Sequence, residues 1–89
     1  MVKLPFEEQE LGENVFIRTF FPQVEDEDLK WHIDLEDRII KSVNDTDWKF
    51  QFDNQLPTGI NGEIFVPSGV WHRLIKGTVP LKLRITKLY

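Results

Sequence analysis

Hydrophobic and polar residues alternate along most of this chain, in stretches that are each only a few residues long. Trp48, Phe50 and Phe52 are separated by polar residues, and the segment 81–85 repeats the pattern. Successive side chains of a strand point to opposite faces, so each stretch predicts a strand with one buried face. Seven such segments are predicted, at 15–21, 29–34, 38–43, 48–52, 63–66, 70–75 and 81–88.

Turn-forming residues separate these segments at regular intervals. The breaks fall at Pro22, at the acidic run 25–28, and at 44–47, 57–62, 67–69, Gly77 and Pro80. The intervals are too short for ordinary helices, so the pattern indicates an all-β sandwich or barrel of about seven to nine short strands. Residues 1–89 form a single predicted domain. Residues 1–14 lack a clear period and are expected to form an extended arm or a single turn of helix.

Two of the segments make finer predictions about burial. In 29–34, alternation puts Leu29, Trp31 and Ile33 on one face and His32 and Asp34 together on the other, and the simplest interpretation buries the apolar face. The segment 64–66 is apolar throughout, which predicts a strand that is covered on both sides.

Composition narrows the classes of function. The chain has no cysteine, which excludes disulfides, thiolate metal sites and thiol nucleophiles. Its net charge of -4 and its pI near 5.1 disfavour nucleic-acid binding, which usually requires a basic surface. No run is apolar enough to be a signal peptide or a membrane span, so we expect a soluble, cytoplasmic protein with no membrane partner.

The stretch 62–74, GEIFVPSGVWHRL, resembles the second motif of the cupin superfamily, G-x5-P-x-G-x2-H-x3-N. Residues 67–69 and His72 match, Gly62 stands one residue closer to the proline than the motif has it, and Lys76 replaces the closing asparagine. The resemblance extends over about residues 29–85. It implies a cupin-like double-stranded β-helix, which is a small jelly-roll barrel.

The first cupin motif, G-x5-H-x-H-x3or4-E-x6-G, is met only in part. His32 takes the place of its first histidine, Asp34 that of the second, and Arg38 or Ile39 that of the glutamate. The resemblance implies that His32, Asp34 and His72 face one interior and bind a divalent metal, which would be Fe, Mn, Ni or Zn. Two imidazoles and one carboxylate are the ligand set of many non-haem Fe(II) sites.

Arg38 leaves several interpretations open. An inward Arg38 would repel a metal ion, pair with Asp34, or bind an anionic ligand through its guanidinium. The alternative is that the adjacent Asp37 turns inward in place of Arg38. The sequence therefore predicts a small cupin-like protein that binds a divalent metal or a small anionic ligand inside the barrel. The alternative is a non-enzymatic structural or assembly module without a metal. Enzymatic activity stays open, and a homodimer is expected.

Overall fold

The protein is described by a computed structural model that covers residues 6–89. Its elements are the strands β1 (Phe6–Gly12), β2 (Val15–Phe20), β3 (Asp37–Ser42), β4 (Lys49–Phe52), β5 (Thr58–Gly59), β6 (Glu63–Val66), β7 (His72–Ile75) and β8 (Leu81–Leu88), with one 3-10 turn at Asp26–Asp28. The predicted all-β class and strand number are confirmed. No helix within 6–89 has the length and apolar character that crossing a bilayer requires.

The eight strands form two antiparallel sheets. The larger sheet has the order β1-β2-β8-β3-β6, and the smaller one has the order β5-β4-β7. The long strand β8 lies at the centre of the larger sheet, because it pairs with β2 along one side and with β3 along the other. Side chains from both sheets meet in a common core.

The core is aliphatic and aromatic, as the alternation predicts. Its buried members are Phe20, Ile40, Trp48, Phe50, Ile60, Val66, Leu81, Leu83 and Ile85. Trp48 is almost completely buried, and its indole N–H donates a hydrogen bond to the carbonyl of Val79. That bond satisfies the one polar atom of an otherwise apolar side chain. The strands predicted at 48–52 and 81–88, each with an apolar face turned to the core, are therefore confirmed as β4 and β8.

The N-terminal segment is extended over its described part and belongs to the larger sheet. Residues 6–12 form β1, which pairs with β2 from Phe6 opposite Phe20 to Gly12 opposite Val15. Residues 1–5, which belong to the predicted arm, lie outside the described residues. β1 and β2 are antiparallel and are joined by only two residues, so they form a hairpin. Asn14, in this connection, lies in the left-handed region at φ 64°.

The strand predicted at 29–34 is wrong, and of the apolar face predicted to be buried there only Leu29 packs against the core. Only His32 forms a β-bridge there, whereas Trp31 and Ile33 are exposed and Asp34 is buried. The segment 63–66 forms β6 as predicted, but Phe65 is about half exposed, so this strand is covered on one side only. β6 is an edge strand of the larger sheet.

Candidate metal centre

His32 and His72 are brought together by the backbone. Each donates its amide N–H to the other's carbonyl oxygen, and both N···O distances are 3.0 Å. This reciprocal pair is the hydrogen-bonded arrangement of an antiparallel ladder, in which opposite residues project to the same side. The two imidazole rings consequently lie edge to face with their centroids 4.3 Å apart.

The turn at residues 67–69 positions Asp34. The amide of Gly69 donates to the carbonyl of Asp34 at 3.0 Å, and the hydroxyl of Ser68 donates to the carbonyl of Leu35 at 2.8 Å. Gly69 has φ 77°, a conformation that glycine adopts without steric cost. The amide of Ser68 donates to Oδ1 of Asp37 at 2.7 Å, so Asp37 holds the turn and does not face inward.

The three predicted ligands form one cluster. Nε2 of His72 lies 3.2 Å from Oδ2 of Asp34, and Nε2 of His32 lies 3.9 Å from Oδ1 of the same carboxylate. One potential ligand atom from each residue lies within 4.8 Å of the other two. With bonds near 2.1 Å, two ligands of one ion stand no farther apart than about 4.2 Å. The two measured distances from the imidazoles to Asp34, 3.9 and 3.2 Å, both satisfy this limit.

Both imidazoles are held in the orientation that a metal ligand needs. Nδ1 of His32 lies 3.0 Å from the carbonyl of Lys30, and Nδ1 of His72 lies 2.9 Å from the carbonyl of Val70. A carbonyl only accepts, so each Nδ1 carries a proton and donates it. Each Nε2 is then the atom that faces Asp34. A hydrogen bond from the second ring nitrogen is also the usual support of a metal-bound histidine.

Arg38 lies beside the cluster, but its main partner is Glu36. Its Nε and Nη2 contact Oε1 of Glu36 at 2.9 and 2.8 Å, whereas its Nη1 is 3.4 Å from Oδ1 of Asp34. Glu36 therefore opposes the charge on Arg38 that would repel a cation. Sequence reasoning missed Glu36, although the alternating series Asp34, Glu36, Arg38 would have placed the three on one face.

The charges around Asp34 keep its carboxylate ionised. Burial alone would raise the pKa of Asp34, but the hydrogen bond from His72 and the electrostatic effect of Arg38, with smaller ones from His72 and His32, hold that pKa below its usual range. Asp34 is only 8% exposed. The centre therefore presents a buried carboxylate anion between two imidazoles, one buried and one exposed.

The cluster opens into a cavity of about 140 Å³ between the two sheets. Charged residues on its wall include Arg18, Asp28, Lys30 and Arg38. The apolar wall includes Phe20, Ile40, Phe50, Val66, Leu83 and Ile85. Phe50 also stacks on the ring of His72, with centroids 5.5 Å apart and planes 21° from parallel. The cavity can hold several waters or a small organic molecule.

Comparison with known proteins supports the fold alone. No family model and no curated protein match the sequence. The crystal structure of protein NMB1881 from Neisseria meningitidis is similar to this chain with a TM-score of 0.60 and 16% sequence identity, over 94% of this chain and 82% of that one. The arrangement of the strands is thus shared with a solved protein.

Proposed function

We propose that this protein is a small cupin-type metal-binding protein, in which His32, Asp34 and His72 bind one divalent transition-metal ion. The observation that carries the proposal is the orientation of the two imidazoles: both Nδ1 atoms are bonded to backbone carbonyls, and both Nε2 atoms face one buried carboxylate. Two imidazole nitrogens and a carboxylate oxygen suit Fe, Mn, Ni or Zn.

A bound metal ion would take the place of the proton between His72 and Asp34. Because Nδ1 of His72 donates to Val70, a hydrogen bond from Nε2 to Asp34 requires a second proton and an imidazolium ring. A metal ion bonded to Nε2 and the carboxylate would replace that proton with a stronger positive charge. The proximity of Arg38 to Asp34 argues against assigning a reaction to the metal, and the proposal is limited to binding.

Titration with Co(II) and Zn(II), followed by calorimetry, tests this proposal on protein freed of metal by chelator. We expect one ion per chain, and a stabilisation of about 2.7 kcal/mol when free metal is a hundred times the Kd. His32→Gln is the most informative variant, because the side chain of His32 is 52% exposed and contributes little to the core. This variant should bind metal at least tenfold more weakly, because losing even a residue that only supports a ligand costs about 10- to 100-fold in metal affinity.

Glu27→Gln is the matched control, since it removes an exposed carboxylate from the acidic run without touching the cluster. Its metal affinity should equal that of the unaltered chain. If metal binds substoichiometrically, or if His32→Gln and Glu27→Gln bind it equally well, the three-residue metal centre is refuted.

A second candidate is a structural or assembly module without metal. The observation that favours it is the continuous ionic chain from His72 through Asp34 to Arg38 and Glu36, which is consistent with a purely structural network. Exposed apolar side chains, among them Leu35 at 92%, would then serve self-association. Sedimentation velocity distinguishes this candidate: it expects a metal-independent homodimer that Leu35→Ser weakens.

A further inference from the structure

Arg18 gives the cavity a second cationic position apart from the candidate metal centre. It lies on β2 and lines the cavity, whereas Arg38 lies on β3. Strand β8 separates β2 from β3, so the two arginines approach the cavity from strands about 10 Å apart. A ligand in the cavity can therefore meet Arg18 at one end and His32, Asp34 and His72 at the other.

The guanidinium of Arg18 is held in place with part of its donor edge available. Glu8 contacts it through Nε, and its Cζ lies 4.4 Å from the centre of the Phe6 ring. Within residues 6–89, no hydrogen bond occupies its two Nη nitrogens. Two parallel N–H groups of this kind suit a carboxylate, which they can bind through both oxygens.

The charges around the cavity favour a ligand with one negative charge. Arg18, Lys30 and Arg38 are cationic on its wall, and Asp28 and Asp34 are anionic. Glu8 and Glu36 add one negative charge each as partners of the two arginines. A bound divalent ion would leave the positive charges in excess by one. The wall between the poles is apolar, so it would accept a short carbon skeleton.

From these observations we infer that the metal-loaded cavity binds a small organic monocarboxylate, with its carboxylate on Arg18 and its other end at the metal. This inference rests on the proposed function. It assigns Arg18, which the sequence did not single out, as the residue that selects for the negative charge. The size of the cavity, about 140 Å³, limits the ligand to a few carbon atoms.

Calorimetry on the Co(II)-loaded protein tests the inference, with formate, acetate and pyruvate as probes and methyl pyruvate as the uncharged match of pyruvate. We expect at least one of the three anions to bind and to perturb the visible Co(II) absorption. Methyl pyruvate should bind at least tenfold more weakly than pyruvate. Arg18→Gln should weaken anion binding at least tenfold and leave Co(II) affinity unchanged. Arg18→Lys keeps the charge without the paired donors, so its anion affinity should lie between those of the unaltered chain and Arg18→Gln.

Arg84→Gln is the control, because Arg84 lies on β8 and is exposed on the other face of the same sheet. Its affinity for the anions should not change. The inference is overturned if none of the anions binds, if methyl pyruvate equals pyruvate, or if Arg18→Gln binds the anions as tightly as the unaltered chain. Failure of Co(II) to bind at all refutes the proposed function and this inference with it, whereas normal Co(II) binding with any of the other failures refutes the inference alone.

Discussion

Asp34 and Asp47 both have a pKa below the usual range for aspartate, but their surroundings share almost nothing. Asp34 is buried among His72, Arg38 and the exposed His32. Asp47 is exposed, and the hydroxyl and amide of Thr78 donate to its carboxylate, which lowers its pKa. A lowered pKa therefore does not mark a functional site by itself. The imidazole and cationic partners of Asp34 make it a ligand candidate, whereas Asp47 connects two loops.

The connection made by Asp47 has a clear structural purpose. Its Oδ2 accepts the Thr78 hydroxyl at 2.6 Å and its Oδ1 accepts the Thr78 amide at 2.8 Å. These bonds hold the loop before β8 against the start of β4. The adjacent Trp48 donates to Val79 in the same loop, so a polar contact at the surface and a buried indole fix the same approach.

The largest expected effect is that of Asp34→Ala. This substitution leaves Arg38 and His72 without their buried anion, and breaking a buried pair costs about 3 kcal/mol of unfolding free energy. Urea denaturation monitored by tryptophan fluorescence measures it. Asp53→Ala, at an exposed position, is the control and should change the unfolding free energy by less than about 0.5 kcal/mol. Equal losses in both variants would show that the Asp34 network contributes nothing specific.

Gly77→Ala should cause the next largest loss of stability. It disturbs the contact between Asp47 and Thr78 by steric overlap and not by a change of charge. A Cβ at residue 77 would overlap Oδ1 of Asp47 and would stand 2.8 Å from its backbone carbonyl carbon. The loop must shift, at a cost of about 2 kcal/mol for such overpacking. Thermal unfolding measures the loss. Gly12→Ala is the control, since a Cβ there meets no atom within 4 Å; a Gly77→Ala protein as stable as this control would contradict the packing of the two loops.

The smallest expected effect is on the dependence of stability on pH. Each folded-state pKa lies below that of the unfolded chain, so both carboxylates stabilise the fold above about pH 4, and the stabilisation disappears as the pH falls through the lower folded-state pKa. Asp34→Asn and Asp47→Asn should each flatten this acid loss. Urea midpoints between about pH 2 and pH 6 measure it. An unchanged slope in either variant would show that the replaced carboxylate has the same pKa folded and unfolded.

Much of the fold follows from alternation, because most strands here have one buried and one exposed face. The segments at 63–66 and 81–88 agree with the observed strands to the residue, and the apolar face of β4 is in the core. The two-residue strand β5 escaped notice because Thr58 and Gly59 have no pattern of their own. The burial of Phe65 was overestimated because an apolar run does not reveal whether both faces of its strand are covered.

The candidate site was predicted in its members but not in its setting. Motif spacing identified His32, Asp34 and His72, and the structure brings them together. The segment around His32 was interpreted with its apolar residues inward, yet Trp31 and Ile33 are exposed while alternate polar residues line the cavity. Alternation locates two faces without telling which is inside. Arg18 was missed because its place on the cavity wall depends on tertiary packing, whereas Glu36 was missed although it alternates with Asp34 and Arg38.

The reciprocal backbone bonds between His32 and His72 have a consequence for motion. The segment that carries His32 and Asp34 has no other ladder bond to the smaller sheet, so lifting it away from β7 must break both bonds in one event. The amide protons of the two histidines should therefore show matched protection factors in hydrogen exchange, set by the free energy of that local opening.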